Sequence, residues 1–325
     1  MSAQSLDNTT GGEVFRSADG VEWLAKPSQC PLCGCCDFRR IGKRGGTFHR
    51  DKKGVQTQVV QCNECSLFYT NPTLVPLSNP YEAAGEDYFV GRAHDPVRKI
   101  MLGEEFAAQT ERLLNGRRGI ILEAACGKGE FLRGAINRGW KARGVEMTEY
   151  FAAIARDHGI DVETAPIEDS RYLEESNTCD AIFMLAMLEH LYDPLVMLRK
   201  ANSILVPDGI ALINVPNEVT SLVNQLGNRY VKLMYGREWT MSLSPTFSPF
   251  HVVGFSPKSL RKALEMTGFE VISMETASGT NGLPPARDMR QHVERLAVSA
   301  SLVIGKVADK LDRGNEIMCW ARKRN

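Results

Sequence analysis

At 325 residues, 43% hydrophobic and 24% charged, the chain is ordinary for a soluble globular protein and long enough for one large domain plus a small appendage. Thirty-nine Lys and Arg balance thirty-nine Asp and Glu, and this zero net charge argues against a protein that clamps a polyanion such as nucleic acid. No basic-then-apolar leader opens the chain and the apolar stretch LAVSASLVIG is too short to span a bilayer, so a cytoplasmic protein without a membrane partner is expected.

Residues 1–22 open polar and rich in Gly, Ser and Thr, which reads as a disordered tail. Six of the nine cysteines then fall between residues 30 and 65. In a reducing compartment such clustering points to metal before disulfide. CPLCGCC at 30–36 and CNEC at 62–65 place Cys30, Cys33, Cys62 and Cys65 in two C-x2-C knuckles separated by 28 residues. Each knuckle can turn two thiolates to one point, and Zn²⁺ takes four in a tetrahedron; with no position left open, the expected role is structural. Cys35 and Cys36 are surplus and could substitute as ligands. FRRI and VQTQVVQC are strand-like runs around the turn-rich GKRGG, so 23–75 is expected to form a zinc ribbon. Residues 39–53 carry seven Lys and Arg against one Asp. That run is either a solvated hairpin rim or a grip for RNA, and the neutral whole favours the rim.

From about residue 100 the pattern alternates. EEFAAQTERLLN has apolar positions three and four apart and predicts a helix; GIILEAA predicts a buried strand. EFLRGAINRGW, EYFAAIARDHG and PLVMLRKANSIL predict further helices; KARGVEM, DVETA, CDAIFML and GIALINV predict further strands. This is an α/β, doubly wound architecture with a parallel sheet, and ligands bind beyond the carboxyl ends of such strands. After the first strand comes ILEAACGKGEF. A dinucleotide fingerprint needs glycine where Leu132 stands, and a phosphate loop needs Ser or Thr where Gly129 follows Lys128. What remains is an acid, a small residue and two glycines at alternate positions: Glu123, Ala125, Gly127 and Gly129. Glu146 ends the next strand, where a carboxylate can accept both hydroxyls of a ribose. The tripeptide IED at 167–169 follows the third strand and LEH follows the fourth.

In this order the motifs resemble the class I S-adenosylmethionine-dependent methyltransferases over roughly residues 100–275. The resemblance implies a Rossmann-like, mostly parallel seven-stranded sheet and a methyltransferase domain over 76–325. It implies that the glycine loop approaches the methionine part of S-adenosylmethionine, with Glu123 holding its ammonium. Glu146 would hold the ribose, Met147 would pack on adenine, and Ile167 with Glu168 would line the adenine edge. Ala125 departs from the glycine usual in that family by one methyl. His190, just beyond the fourth strand, titrates in the range suited to a general base, and Glu189 could orient it or act itself.

The N-terminal cysteine unit, LFYTNP, LEH and FSPKSL together resemble a narrower group. These are the zinc-domain methyltransferases of bacterial sugar and natural-product pathways, including deoxysugar C-methyltransferases, where the histidine of the EH pair is taken as base. Those sugar enzymes carry a further C-terminal domain that this chain is too short to contain. After residue 275 a helical stretch (about 287–311) and a sheet-completing strand, NEIMCWARKR, are expected. Tyr88 is a candidate wall residue, His251 a substrate-side or structural histidine, and 218–250 either a substrate lid or an ordinary amphipathic helix. The expected function is methylation of a small molecule on C, O or N, a sugar nucleotide or natural-product intermediate. RNA methylation and a silent cofactor-binding protein are the alternatives.

Overall fold

The computed structural model describes residues 12–81, 95–278 and 304–324. The chain opens with β1 (Val14–Arg16) and β2 (Glu22–Lys26), followed by β3 (Phe38–Arg44), β4 (Thr57–Cys62), β5 (Phe68–Thr70) and β6 (Thr73–Pro76). They form two small antiparallel sheets, β1-β2-β6 and β3-β4-β5. Strand pairing therefore begins inside the stretch expected to be a tail up to residue 22. Phe15 pairs with Trp23, and Trp23 is fully buried and stacked on Phe250. One large aromatic buried against a distant loop outweighs the polar composition around it.

The larger unit begins with α1 (Pro96–Leu113). Asp95 caps it by accepting from the Arg98 N–H at 3.1 Å, and Pro96 fills the first turn, where no N–H is needed. Then follow β7 (Ile120–Ala124), α2 (Glu130–Asn137), β8 (Lys141–Glu146), α3 (Glu149–Asp157), β9 (Asp161–Thr164), β10 (Cys179–Leu185) and α4 (Pro194–Ile204). The chain continues with β11 (Leu205–Pro216), α5 (Leu222–Tyr235), α6 (Pro257–Met266), β12 (Phe269–Ala277) and β13 (Glu316–Lys323). The seven strands lie in the order β12-β13-β11-β10-β7-β8-β9. Only β13 runs against its neighbours, so the sheet is mostly parallel, as expected, and NEIMCWARKR completes it. Residues 304–310 of the expected late helix are helical; 287–303 lie outside the described residues.

The order has a direct consequence. From β7 the chain winds outward through β8 and β9, then returns to lay β10 on the other side of β7. The carboxyl ends of β7 and β10 thus diverge and leave a crevice between their loops. Strand interiors such as Ile121, Leu122, Ile182 and Phe183 are fully buried, because both faces of the sheet are covered.

The segment 218–250 lies on the ribbon. Trp239 bridges to Lys43 in β3, the Thr240 N–H donates to the Lys43 carbonyl at 3.3 Å, and the Thr246 hydroxyl donates to the Val55 carbonyl at 2.9 Å. Among the described residues no helix is long and apolar enough to cross a membrane.

Candidate active site

The crevice holds a cavity of about 570 Å³. Glu123, Ala125, Gly127, Glu146, Met147, Ile167, Glu168 and His190, all singled out in the sequence, line it. Gly129 does not. Its φ is +75°, and a side chain there would meet Ile160 Cδ1 at 2.4 Å, so this glycine serves the packing of α2 on α3. Gly127, at φ +55°, has open space where a side chain would be, and its backbone faces the cavity. Ala125 takes φ +59°, the left-handed conformation that a glycine would adopt without strain.

The wall is acidic. Glu123, Glu130 and Glu146 are all buried and line the cavity. Glu146 accepts the Gly127 N–H at 2.9 Å and the Thr148 N–H at 2.8 Å, which ties the loop after β7 to the end of β8. Glu123 Oε2 is buried and has no hydrogen-bond partner. Burial, with Glu130 and Glu146 nearby, pushes the Glu123 carboxyl well above its ordinary range, against the opposing pull of Lys99, which also lines the cavity. An orphaned, crowded carboxylate costs several kcal/mol, roughly, unless a cation meets it. The site therefore fits a ligand that brings positive charge to the glycine loop, which the ammonium and sulfonium of S-adenosylmethionine would do.

Opposite lies His190, in the turn after β10. Its Nδ1 is 3.3 Å from both the Phe250 carbonyl oxygen and the Tyr81 hydroxyl. A carbonyl only accepts, so the proton sits on Nδ1 and Nε2 is the basic nitrogen. Burial and the neighbouring His251 push His190 down to about 4, which keeps the ring neutral near pH 7. Glu189 does not line the cavity. It is buried behind the histidine with Oε1 3.8 Å from His190 Nε2, and burial pushes its carboxyl up to about 7. His251 also stands back from the cavity, with its ring 5.0 Å from that of His190 and Nδ1 3.3 Å from Glu218. Burial opposes charge on His251, but Glu218 and Glu189 outweigh it and raise its pKa.

Sequence reasoning missed Tyr81 and Asn79, which reach the cavity from the segment after β6. Asn79 approaches Met147 Sδ at 3.7 Å, and Tyr81 packs on Phe250. The turn-forming SNPY was the signal available for them. Tyr88 lies outside the described residues. No residue of 218–250 lines the cavity; Phe250 approaches it through its carbonyl on His190.

The four cysteines converge. Cys30 Sγ is 3.4 Å from Cys65 Sγ, Cys33 Sγ is 3.5 Å from Cys62 Sγ, and all four sulfurs lie within 4.8 Å of one another. Sulfurs at 2.3 Å from one zinc stand about 3.8 Å apart in a tetrahedron, so the set fits such an ion. The hydrogen bond to Cys30, with burial, holds the Cys65 thiol far above its ordinary range. Cys35 Sγ turns away, toward the Asp37 backbone, and Cys36 is exposed.

Comparison with known proteins adds a family. A family model described as a methyltransferase domain matches residues 98–274. Ubiquinone biosynthesis O-methyltransferase of Actinobacillus pleuropneumoniae serotype 5b is 26% identical over 136 residues, 38% of this chain and 54% of that protein. The enzyme of the same name from Marinobacter nauticus is 27% identical over 165 residues, 49% of this chain and 66% of its own. The chain thus spans about half to two thirds of the length of these curated relatives. Among solved structures, a SAM-dependent methyltransferase from Archaeoglobus fulgidus overlays with a TM-score of 0.47 at 19% identity, covering 75% of this chain and 100% of that one.

Proposed function

The chain belongs to the methyltransferase-domain family, and on that premise we propose that it is an enzyme moving a methyl group from S-adenosylmethionine to a small-molecule acceptor. The observation that carries this reading is the orphaned Glu123 oxygen, buried beside an open glycine loop at the point where the strand order reverses. When bound there, S-adenosylmethionine supplies a methyl carbon made electrophilic by its sulfonium. The protein's own residues do the rest. Glu123 meets the ammonium, Glu146 meets the ribose from a carboxylate already fixed by two backbone N–H groups, and Met147 with Ile167 and Glu168 lines the adenine. His190, neutral and held by the Phe250 carbonyl, takes the acceptor's proton on Nε2, with Glu189 behind it. A natural-product intermediate or sugar nucleotide methylated on C, O or N fits the sequence features; the names of the curated relatives bring O-methylation into the same reading. Cys30, Cys33, Cys62 and Cys65 hold a structural zinc, and nine cysteines without a disulfide suit the reducing cytoplasm.

The test uses S-adenosylmethionine with a deuterated methyl, added with the protein to an extract of the source cell. Mass spectrometry should find the label in a small molecule and lose it with His190→Ala. Label confined to RNA would assign the acceptor to nucleic acid instead. No label and no binding of S-adenosylhomocysteine would sink the enzyme reading.

A further inference from the structure

α5 is built inside out. On an ordinary surface helix the apolar stripe faces the core and the polar stripe faces water. Here the polar side faces inward. Asn228 donates to the Ser242 hydroxyl at 3.0 Å and accepts from the Thr240 hydroxyl at 2.8 Å. Lys232 donates to the Ile41 carbonyl at 2.9 Å, and Asn224 to the Asn217 carbonyl at 3.3 Å. None of the fourteen residues of α5 is buried. The outward side carries Leu226, Tyr230, Leu233 and Met234, spaced at i, i+4, i+7 and i+8, one stripe of a helix. Tyr230 is 58% exposed, Met234 59% and Leu233 83%. A single exposed leucine needs no explanation; a continuous stripe on a helix anchored by its polar face does.

The charge around the stripe decides what covers it. Arg229 and Arg237 are exposed beside it. At its C-terminal end Tyr235 packs on Trp239 at 5.0 Å, and Trp239 on Phe48 at 5.5 Å. Phe48 lies in the β3–β4 loop, where Arg50, Lys52 and Lys53 are exposed, with one acidic residue, Asp51, among them. Glu238 is occupied by Lys43 at 3.0 Å. A stripe of Leu, Met and Tyr ends in a Tyr–Trp–Phe cluster, with two exposed cations, Arg229 and Arg237, on and just after the helix and three more on the loop that carries Phe48. A second copy of the chain would bring like charges together on this face. RNA would use the cations and leave Leu233 and Met234 in water. An anionic bilayer surface satisfies both: acyl chains take the stripe, aromatic rings settle at the headgroup level, and lipid phosphates meet the cations.

We infer that α5 and the β3–β4 loop form a peripheral docking face for an anionic lipid surface. The absence of a spanning segment led the sequence reading to expect no membrane partner, and peripheral contact needs no such segment. The inference stands apart from the proposed chemistry, since no residue of α5 lines the cavity.

Flotation of the full chain with vesicles tests it. The protein should float with equimolar phosphatidylcholine and phosphatidylglycerol and stay behind with phosphatidylcholine alone. The pair Tyr230→Asp and Leu233→Asp should weaken flotation about tenfold or more, without a change in thermal midpoint or S-adenosylhomocysteine binding, because both side chains lie on the surface. Arg229→Ala and Arg237→Ala should each cost about fivefold, and added salt should do likewise. No flotation with either vesicle, or flotation indifferent to the aspartates, overturns the inference. A dimer that Leu233→Asp disperses, without vesicle binding, would give the face to a second copy. Retention on RNA without vesicle binding would give it to nucleic acid.

Discussion

Glu123 shows how much one side chain can ask of its surroundings. Its Oε2 is buried without a partner, and two other buried carboxylates, Glu130 and Glu146, line the same cavity. Glu123→Gln keeps the shape and removes the charge proposed to meet the ammonium of S-adenosylmethionine. S-adenosylhomocysteine affinity measured by calorimetry should fall roughly tenfold to a hundredfold, the range for a charge-assisted hydrogen bond; unchanged affinity would remove Glu123 from the site. His190 makes a different demand. Its folded pKa, about 4, lies below that of a free histidine. The neutral ring is therefore retained down to about pH 4, and the acid limb of kcat/KM should fall there instead of near 6.5. Stability carries the same sign: the contribution of the neutral ring is complete above about pH 6.5 and is lost as the pH falls toward 4. Glu189 acts in reverse, since its pKa is raised to about 7 and its contribution is lost as the pH rises through 7. An acid limb near 6.5 would mean that some other group is the base. Glu123, Glu146 and His190 were legible because each lies at or just past a strand end, where a local motif fixes position; Asn79 and Tyr81 come from a segment with no such motif. Gly129 does not line the cavity, and its steric partner, Ile160, is thirty-one residues away, a contact that the sequence does not show.

At the scale of elements, alternation of strand and helix was legible because burial on both faces writes long apolar runs into the strands. Two helix starts were equally readable. Asp193 before Pro194 caps α4 through the Val196 N–H at 3.1 Å, and Ser256 before Pro257 forms a capping box with Ser259. The sheet β1-β2-β6 was not readable: β1 has three residues, half-covered, and its partners are set by contacts made far along the chain. Nor could sequence tell that 218–250 docks on the ribbon, since an amphipathic pattern fixes the period of a helix and leaves open which side is wet. The pairing of α1 with α2 offers a test. A side chain at Gly134 would meet the Ile100 carbonyl at 2.2 Å, and one at Gly103 would meet the Phe131 carbonyl at the same distance. Two backbones thus touch, with no flexible atom to give way. Gly134→Val should destabilise the fold by about 1–3 kcal/mol or more in urea melts, the cost of overpacking, and should move Arg98 and Lys99 on the cavity wall. Full stability in that variant would show that the two helices have room to separate.

Across the whole molecule, the ribbon and the catalytic unit share one interior. Cys30, Cys62 and Cys65 belong to the same buried cluster as Leu122, Ile182, Met187 and Val252, so no boundary in packing falls between residues 75 and 76. A short backbone path also joins the four-cysteine cluster and His190. Cys65 leads into β5, where Phe68 exchanges two hydrogen bonds with Gly254, each 2.9 Å. Two residues earlier, the Val252 N–H donates to the Glu189 carbonyl at 2.9 Å, and Glu189 precedes His190. Zinc at the cysteines would therefore fix β5, β5 would fix the 250–254 loop, and that loop would fix the Phe250 carbonyl that holds His190. Removing zinc with a chelator, or Cys30→Ser, should lower the midpoint of a single thermal transition by several degrees and reduce turnover in parallel, with zinc content falling by the same fraction. A local tether would behave differently: the N-terminal unit would melt in a separate, earlier transition while turnover at low temperature held. Scanning calorimetry beside a turnover assay distinguishes the two, and a Cys30→Ser chain that keeps its zinc would return Cys35 or Cys36 to the ligand set.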